Sequence, residues 1–199
     1  MEEKEFVLTD DNYYSQEANQ RYMSVHQYLS FAGGMLGKGC EARAIEELEG
    51  RWEEPPTDAL LVGSYVDSYF EGTLDKFKRE HKEIFTQKGE LKAQYKRAEK
   101  MIARCEADEY FMKYMSGEKQ VIMTGFWAGC DWKIKIDSYL PGKCIVDLKT
   151  SADIHRAWHI PDGGYASFIE AFNYDKQLAV YQKIVEINTG YKLPCYIAA

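Results

Sequence analysis

Asp137, Asp147 and Lys149 fall on the two arms of a stretch, 131–150, that alternates polar and apolar residues around a Pro-Gly pair. Alternation with a period of two, interrupted by that pair, predicts an antiparallel hairpin. Lys133, Lys135 and Asp137 then share one face and Ile134 and Ile136 the other, while past the turn Asp147 and Lys149 oppose Val146 and Leu148. Both arms must turn their apolar set to the core, so Asp137 and Asp147 come out on the same side of the sheet. A three-residue loop, Pro141-Gly142-Lys143, satisfies this by setting Leu140 against Cys144 and Asp137 directly across from Asp147. A two-residue loop would set Asp137 against Val146 and break the pattern.

Two carboxylates opposed on one face repel each other and call for a cation between them. Lys149 is one candidate and a divalent metal the other; hard oxygen donors suit Mg²⁺, with Mn²⁺ as a substitute. With a metal, Asp137 and Asp147 would hold it against a phosphodiester, where it stabilises developing charge and lowers the pKa of a bound water. Lys149, two residues on and on the same face, could orient that water or meet the negative charge. Without a metal, the same residues read as a solvated hairpin face of mixed charge.

Several elements must position these groups. A loop at 53–57 leads to a helix over 59–70, capped by Thr57 or Asp58, which carries Gly63 and then Asp67, one turn before Glu71. Residues 87–115 predict a long helix with an apolar stripe of Leu91, Tyr95, Ala98, Ile102 and Cys105. On its other side Lys88, Lys92, Lys96, Lys100 and Arg104 recur every four residues, a row that could track a phosphate backbone or simply be solvated. A strand over 120–126 joins the hairpin to give at least three antiparallel strands, with Asp137 on a middle one. The loop after Thr150 holds His155, Arg156, Trp158 and His159; Arg156 and Trp158 are candidates for phosphate contact and base stacking, or for packing. The two histidines lack a third soft ligand for zinc. A last helix, from Ala166 or Phe172 to Asn188, places Gln177 and Tyr181 one turn apart.

Ahead of these, a short strand is expected at 6–8 and a turn at 10–12. Helices follow from Ser15 to Gly50, with Ser24 as a cap, a break at Gly33-Gly34 and a restart over 41–48. Residues 193–199 read as an apolar strand without a polar tail, so the natural protein is expected to continue. The 199 residues suffice for one domain, with a helical N-terminal part at 1–50 and a core at 59–199. No apolar run approaches a membrane span and the opening Met-Glu-Glu-Lys-Glu is too acidic for a signal peptide, which points to the cytoplasm. Five scattered cysteines without a Cys-x-x-Cys pair imply neither a disulfide framework nor an iron–sulfur cluster. A net charge of −7 argues against coating nucleic acid non-specifically but not against a basic channel.

Asp137, the Asp147-Leu148-Lys149 triplet and the trailing Gln177-Leu-Ala-Val-Tyr181 together resemble the PD-(D/E)xK nuclease superfamily, in its RecB-like branch. Residues 14–28 and the block 61–71 make the chain similar, within that branch, to the phage and prophage exonuclease VIII (RecE-type) domain. No proline precedes Asp137, and Asp67 stands where the branch carries a metal-binding histidine. The resemblance implies an α/β, restriction-endonuclease-like core with a central mixed sheet flanked by helices. It also implies a Mg²⁺-dependent double-strand DNA exonuclease of phage recombination, a ring-shaped homo-oligomer and a single-strand annealing recombinase as partner. Asp67, Asp137 and Asp147 would ligate the metal, and Gln177 and Tyr181 would position DNA. A catalytically silent DNA-binding or recombinase-partner module is the alternative, motivated by the acidic charge and the missing histidine.

Overall fold

The computed structural model describes residues 6–161 and 163–199; the acidic opening and Asp162 lie outside them. In chain order the elements are α1 (Gln16–Arg21), α2 (Val25–Ala32), β1 (Gly33–Gly34), β2 (Gly37–Lys38), α3 (Glu41–Leu48), α4 (Asp58–Glu71) and α5 (Leu74–Glu80). There follow α6 (Ala93–Glu106), α7 (Glu109–Tyr114), β3 (Val121–Trp127), β4 (Cys130–Ile136), β5 (Ser138–Leu140) and β6 (Cys144–Leu148). The chain closes with β7 (Trp158–His159), β8 (Tyr165–Ala166), α8 (Phe168–Ala171), α9 (Tyr174–Thr189) and β9 (Cys195–Ala198). This is an α/β fold, and it divides into two compact units.

Residues 54–120, 137–152 and 195–199 form one unit. Its sheet is mixed: β5 pairs antiparallel with β6, and β9 adds to β6 in parallel. The turn is the three-residue loop, with Leu140 opposite Cys144 and Gly142 in the left-handed conformation at φ 69°. Buried Val146 and Leu148 of the sheet join Leu61, Tyr65 and Val66 of α4 and Tyr95 and Ile102 of α6 in one apolar core. Thr57 caps α4 by accepting the Leu60 N–H. The single long helix expected over 87–115 is two: α6 ends at Glu106, and Asp108 accepts the Tyr110 and Phe111 N–H groups to start α7. An Asp that can cap competes with continuing the helix, and here it wins. The stripe of Tyr95, Ala98 and Ile102 is buried as the spacing requires.

Residues 6–53, 121–136 and 153–194 form the other unit. The β3–β4 hairpin turns at Ala128 and Gly129, both at positive φ, and α9 lies against it with Val180, Ile184 and Val185 buried. Gly125 lets the helix come close, since a Cβ there would stand 3.3 Å from Ile187. Ser24 caps α2 as expected and completes a capping box with Gln27, and left-handed Gly190 ends α9. Of the two expected starts, Ala166 and Phe172, the last helix follows the second, beginning at Tyr174, with α8 a separate turn of its own. Residues 6–9 are coil, not a strand.

The stretch 131–140 does not run as one strand. β4 pairs with β3, β5 with β6, and the chain bends at Asp137 between them. Nor is the lysine face of β4 solvated. Lys133 is 2% exposed, its Nζ donating to the Tyr13 carbonyl at 2.5 Å and to Asn19 Oδ1 at 2.7 Å, while Lys135 pairs with Asp10 at 2.6 Å. The residues before α2 thus cover charges that alternation alone would hand to water. Burial pulls the Lys133 ammonium down to about 8. Replacing it with methionine keeps the volume but strips two acceptors of their donor. Lys133→Met is expected to lower unfolding stability by about 2 kcal/mol, read as a shift in the urea midpoint; an unchanged midpoint would show that the bonds contribute nothing net.

Candidate active site

The register places Ser138 against Val146, so the next pair along the arms is Asp137 and Asp147. Although Asp137 itself sits in a bend, it is tied to the opposite arm: its Oδ2 accepts the Leu148 N–H at 2.7 Å. On its other side Oδ1 accepts from Gln120 Nε2 at 3.2 Å. Asp147 is 2% exposed and its Oδ2 lies 2.7 Å from Lys149 Nζ. The Lys149 N–H donates to the Ala198 carbonyl, so β9 anchors the strand end that carries the lysine.

Helix α4 brings in the third carboxylate. Gly63, Asp67 and Glu71 recur every four residues and share one face. A Cβ at Gly63 would come within 3.1 Å of Thr150 Oγ1, so the glycine permits close approach to the residues following β6. One turn on, Asp67 and Glu71 line a small cleft with Gln120 and Asp137, with Phe70 and Met115 on its apolar side. Burial first, then the charge of Asp137, push the Asp67 carboxyl up to about 8; Glu71 and Asp147 add to the rise and Lys149 opposes it. The Cys195 thiol, pushed up to about 11 by burial and then by Asp147 and Cys144, feels the same negative field.

Four carboxylates against Lys149 make a site poised for a further cation, and every donor is a hard oxygen of the kind Mg²⁺ takes. Among the described residues no three His, Cys, Asp or Glu side chains are already gathered as a metal-holding group. The fit is therefore one of donor chemistry and charge, with Asp67, Asp137 and Asp147 as the groups that would close on the ion.

The remaining sequence-derived candidates are placed as follows. Gln177 and Tyr181 lie one turn apart on α9, in the unit that does not contain the carboxylates, and Tyr181 is 9% exposed. Lys96 and Lys100 are exposed on α6, Lys92 stands at its N-cap, and Lys88 falls outside it. Lys96 pairs with Glu90 and Arg104 with Asp108, so part of the basic row is internally compensated. The Arg156 guanidinium stacks over the Trp158 ring at 4.4 Å, and that ring packs edge-on against Phe172 at 4.9 Å. Gln120 and the Leu148 N–H were not foreseen. Gln120 reads as an ordinary strand start, and only pairing across the sheet shows it to be a neighbour of Asp137.

Residues 24–199 match the family of the PDDEXK-like domain of unknown function (DUF3799). The chain is also similar, at 60% identity and a TM-score of 0.94, to a crystal structure of a candidate exonuclease from Eubacterium rectale, over 97% of this chain and 73% of that one. No curated protein matches it. Among the described residues no helix is long and apolar enough to cross a membrane.

Asp67 supplies a pH signature. Below about pH 4 it is protonated whether the chain is folded or not; between there and about pH 8 the folded state holds the proton and the unfolded state does not. Stability of the metal-free protein therefore falls as pH rises through that window. Asp67→Asn is expected to remove this fall and to melt several degrees above the wild type at pH 8.5, by differential scanning fluorimetry with chelator present. Parallel pH profiles for the two proteins would refute the assignment.

Proposed function

Since this chain belongs to the PDDEXK-like domain family, whose superfamily core serves nucleases, we propose that it is a metal-dependent deoxyribonuclease acting as an exonuclease on double-stranded DNA. The observation that carries this reading is that Asp67, Glu71 and Asp137 line one cleft, while Asp147 adds to the negative field on Asp67 and holds Lys149 at 2.7 Å. Similarity to a protein named as a candidate exonuclease supports the exonuclease form of it.

Asp137 and Asp147, with Asp67, would hold Mg²⁺, or Mn²⁺ in its place. When bound, the ion supplies charge neutralisation at the scissile phosphate and a water of lowered pKa. Lys149 then acts through its Nζ, orienting the attacking water and meeting negative charge as it develops on the phosphate. Gln177 and Tyr181 position the strand, the Gln177 amide and the Tyr181 hydroxyl serving as donors to phosphate oxygens. Lys92, Lys96 and Lys100 offer a row of cations for duplex phosphates, and Arg156 and Trp158 a stacked pair for the same substrate. The resemblance to exonuclease VIII supports a role in phage recombination in the bacterial cytoplasm, with a single-strand annealing recombinase as partner.

Linear duplex DNA incubated with the protein and Mg²⁺ is expected to release nucleotides, with Asp147→Asn slower by at least about a hundredfold. Equal rates in the two preparations would remove Asp147 from the mechanism. A small domain of net charge −7 has little basic surface with which to retain duplex between cuts, so a ring of three or four chains would let weak contacts combine. Light scattering on the full-length protein is expected to give that mass; a monomer that still digests processively would sink the ring.

A further inference from the structure

Asp137 is held by a neighbour that lies outside both its motif and the β5–β6 hairpin. The Glu118 and Tyr139 backbones exchange hydrogen bonds, N–H to carbonyl at 2.8 Å in each direction. Two residues further along the one strand and two back along the other come Gln120 and Asp137, so the same pairing that joins 118 to 139 sets the glutamine beside the aspartate. Gln120 adopts φ 52°, the left-handed region, which costs a side-chain-bearing residue about 1 kcal/mol. Glycine would take that backbone without cost. A glutamine there is explained by what its side chain does: its amide donates to Asp137 Oδ1 and lines the cleft beside Asp67 and Glu71.

The terminal torsion of an aspartate is soft, so a carboxylate held at one oxygen can still swing. Asp137 is held at both. The Leu148 N–H fixes Oδ2 from the strand and Gln120 fixes Oδ1 from the cleft wall. A neutral amide can do this without competing for the charge that a cation must neutralise. Lys119, the adjoining cation, is directed to the Met115 carbonyl instead.

We propose that Gln120 is a positioning residue that sets the Asp137 carboxylate for divalent-cation binding. The inference rests on the nuclease reading above, and Gln120 acts through Asp137 rather than on substrate. Outer groups that orient metal ligands typically govern affinity by ten- to a hundredfold.

Two variants separate positioning from fold. Gln120→Gly removes the amide while relieving the left-handed backbone, and Gln120→Leu removes the amide at similar size. Mn²⁺ titrated into the metal-free proteins by calorimetry is expected to bind about tenfold more weakly to both variants, while Gln120→Gly melts at or slightly above the wild-type temperature. Nuclease rates should recover in the variants as Mn²⁺ is raised. A melting temperature of Gln120→Gly that falls along with affinity would mark a merely structural residue and overturn the proposal, as would Mn²⁺ affinity unchanged in both variants. A wild type that binds no Mn²⁺ and cuts no DNA would overturn the nuclease reading together with it, whereas wild-type binding with unaltered variants would sink the role of Gln120 alone.

Discussion

The hydrogen bond from the Leu148 N–H to Asp137 Oδ2, at 2.7 Å, is the constraint on which the site depends. It binds a side chain on one arm of the hairpin to the backbone between Asp147 and Lys149 on the other. Regular pairing begins only at Ser138 and Val146, and the chain bends at Asp137. The side chain therefore takes over where the ladder stops, satisfying a strand amide that would otherwise lose its partner at a bend. A residue that serves at once as a ladder substitute and as a cleft carboxylate cannot drift in either role.

Charge is concentrated around that bond at a cost to stability. Asp147 is almost wholly buried, and Asp67 is raised to about 8 by burial and by its acidic neighbours. Lys149 offsets part of this at 2.7 Å from Asp147. Such crowding is unfavourable in the metal-free protein and would become favourable on the proposed binding of a cation, the arrangement expected where a site serves binding rather than folding. Lys133 is the contrasting case. It too is buried, yet its contacts are the Tyr13 carbonyl, the Asn19 amide oxygen and the Tyr13 ring, which tie down the residues before α2.

Backbone chemistry decides how near the third carboxylate can come. Gly63 lets α4 approach Thr150 because it has no Cβ, and the helical repeat then presents Asp67 and Glu71 on the same face, one and two turns further on. On the opposite wall Gln120 does the reverse, accepting an unfavourable backbone so that its amide can reach Asp137.

By itself the sequence determined what local periodicity and turn chemistry can determine. The period of two allowed only one loop length that kept both apolar sets inward, hence the three-residue turn, Leu140 against Cys144, and Asp137 in line with Asp147. The caps at Ser24 and Thr57 and the stop at Gly190 were legible for the same reason, since each acts within a turn of itself. Tertiary structure alone decided the rest. Whether a lysine on an alternating strand meets water or the Tyr13 carbonyl depends on where a segment 120 residues earlier lies. Whether Asp108 interrupts a helix depends on a balance of backbone partners, and whether Gln120 matters depends on a strand it does not adjoin in sequence. Pattern reports which face a residue takes; only the packed chain reports what is on the other side of that face.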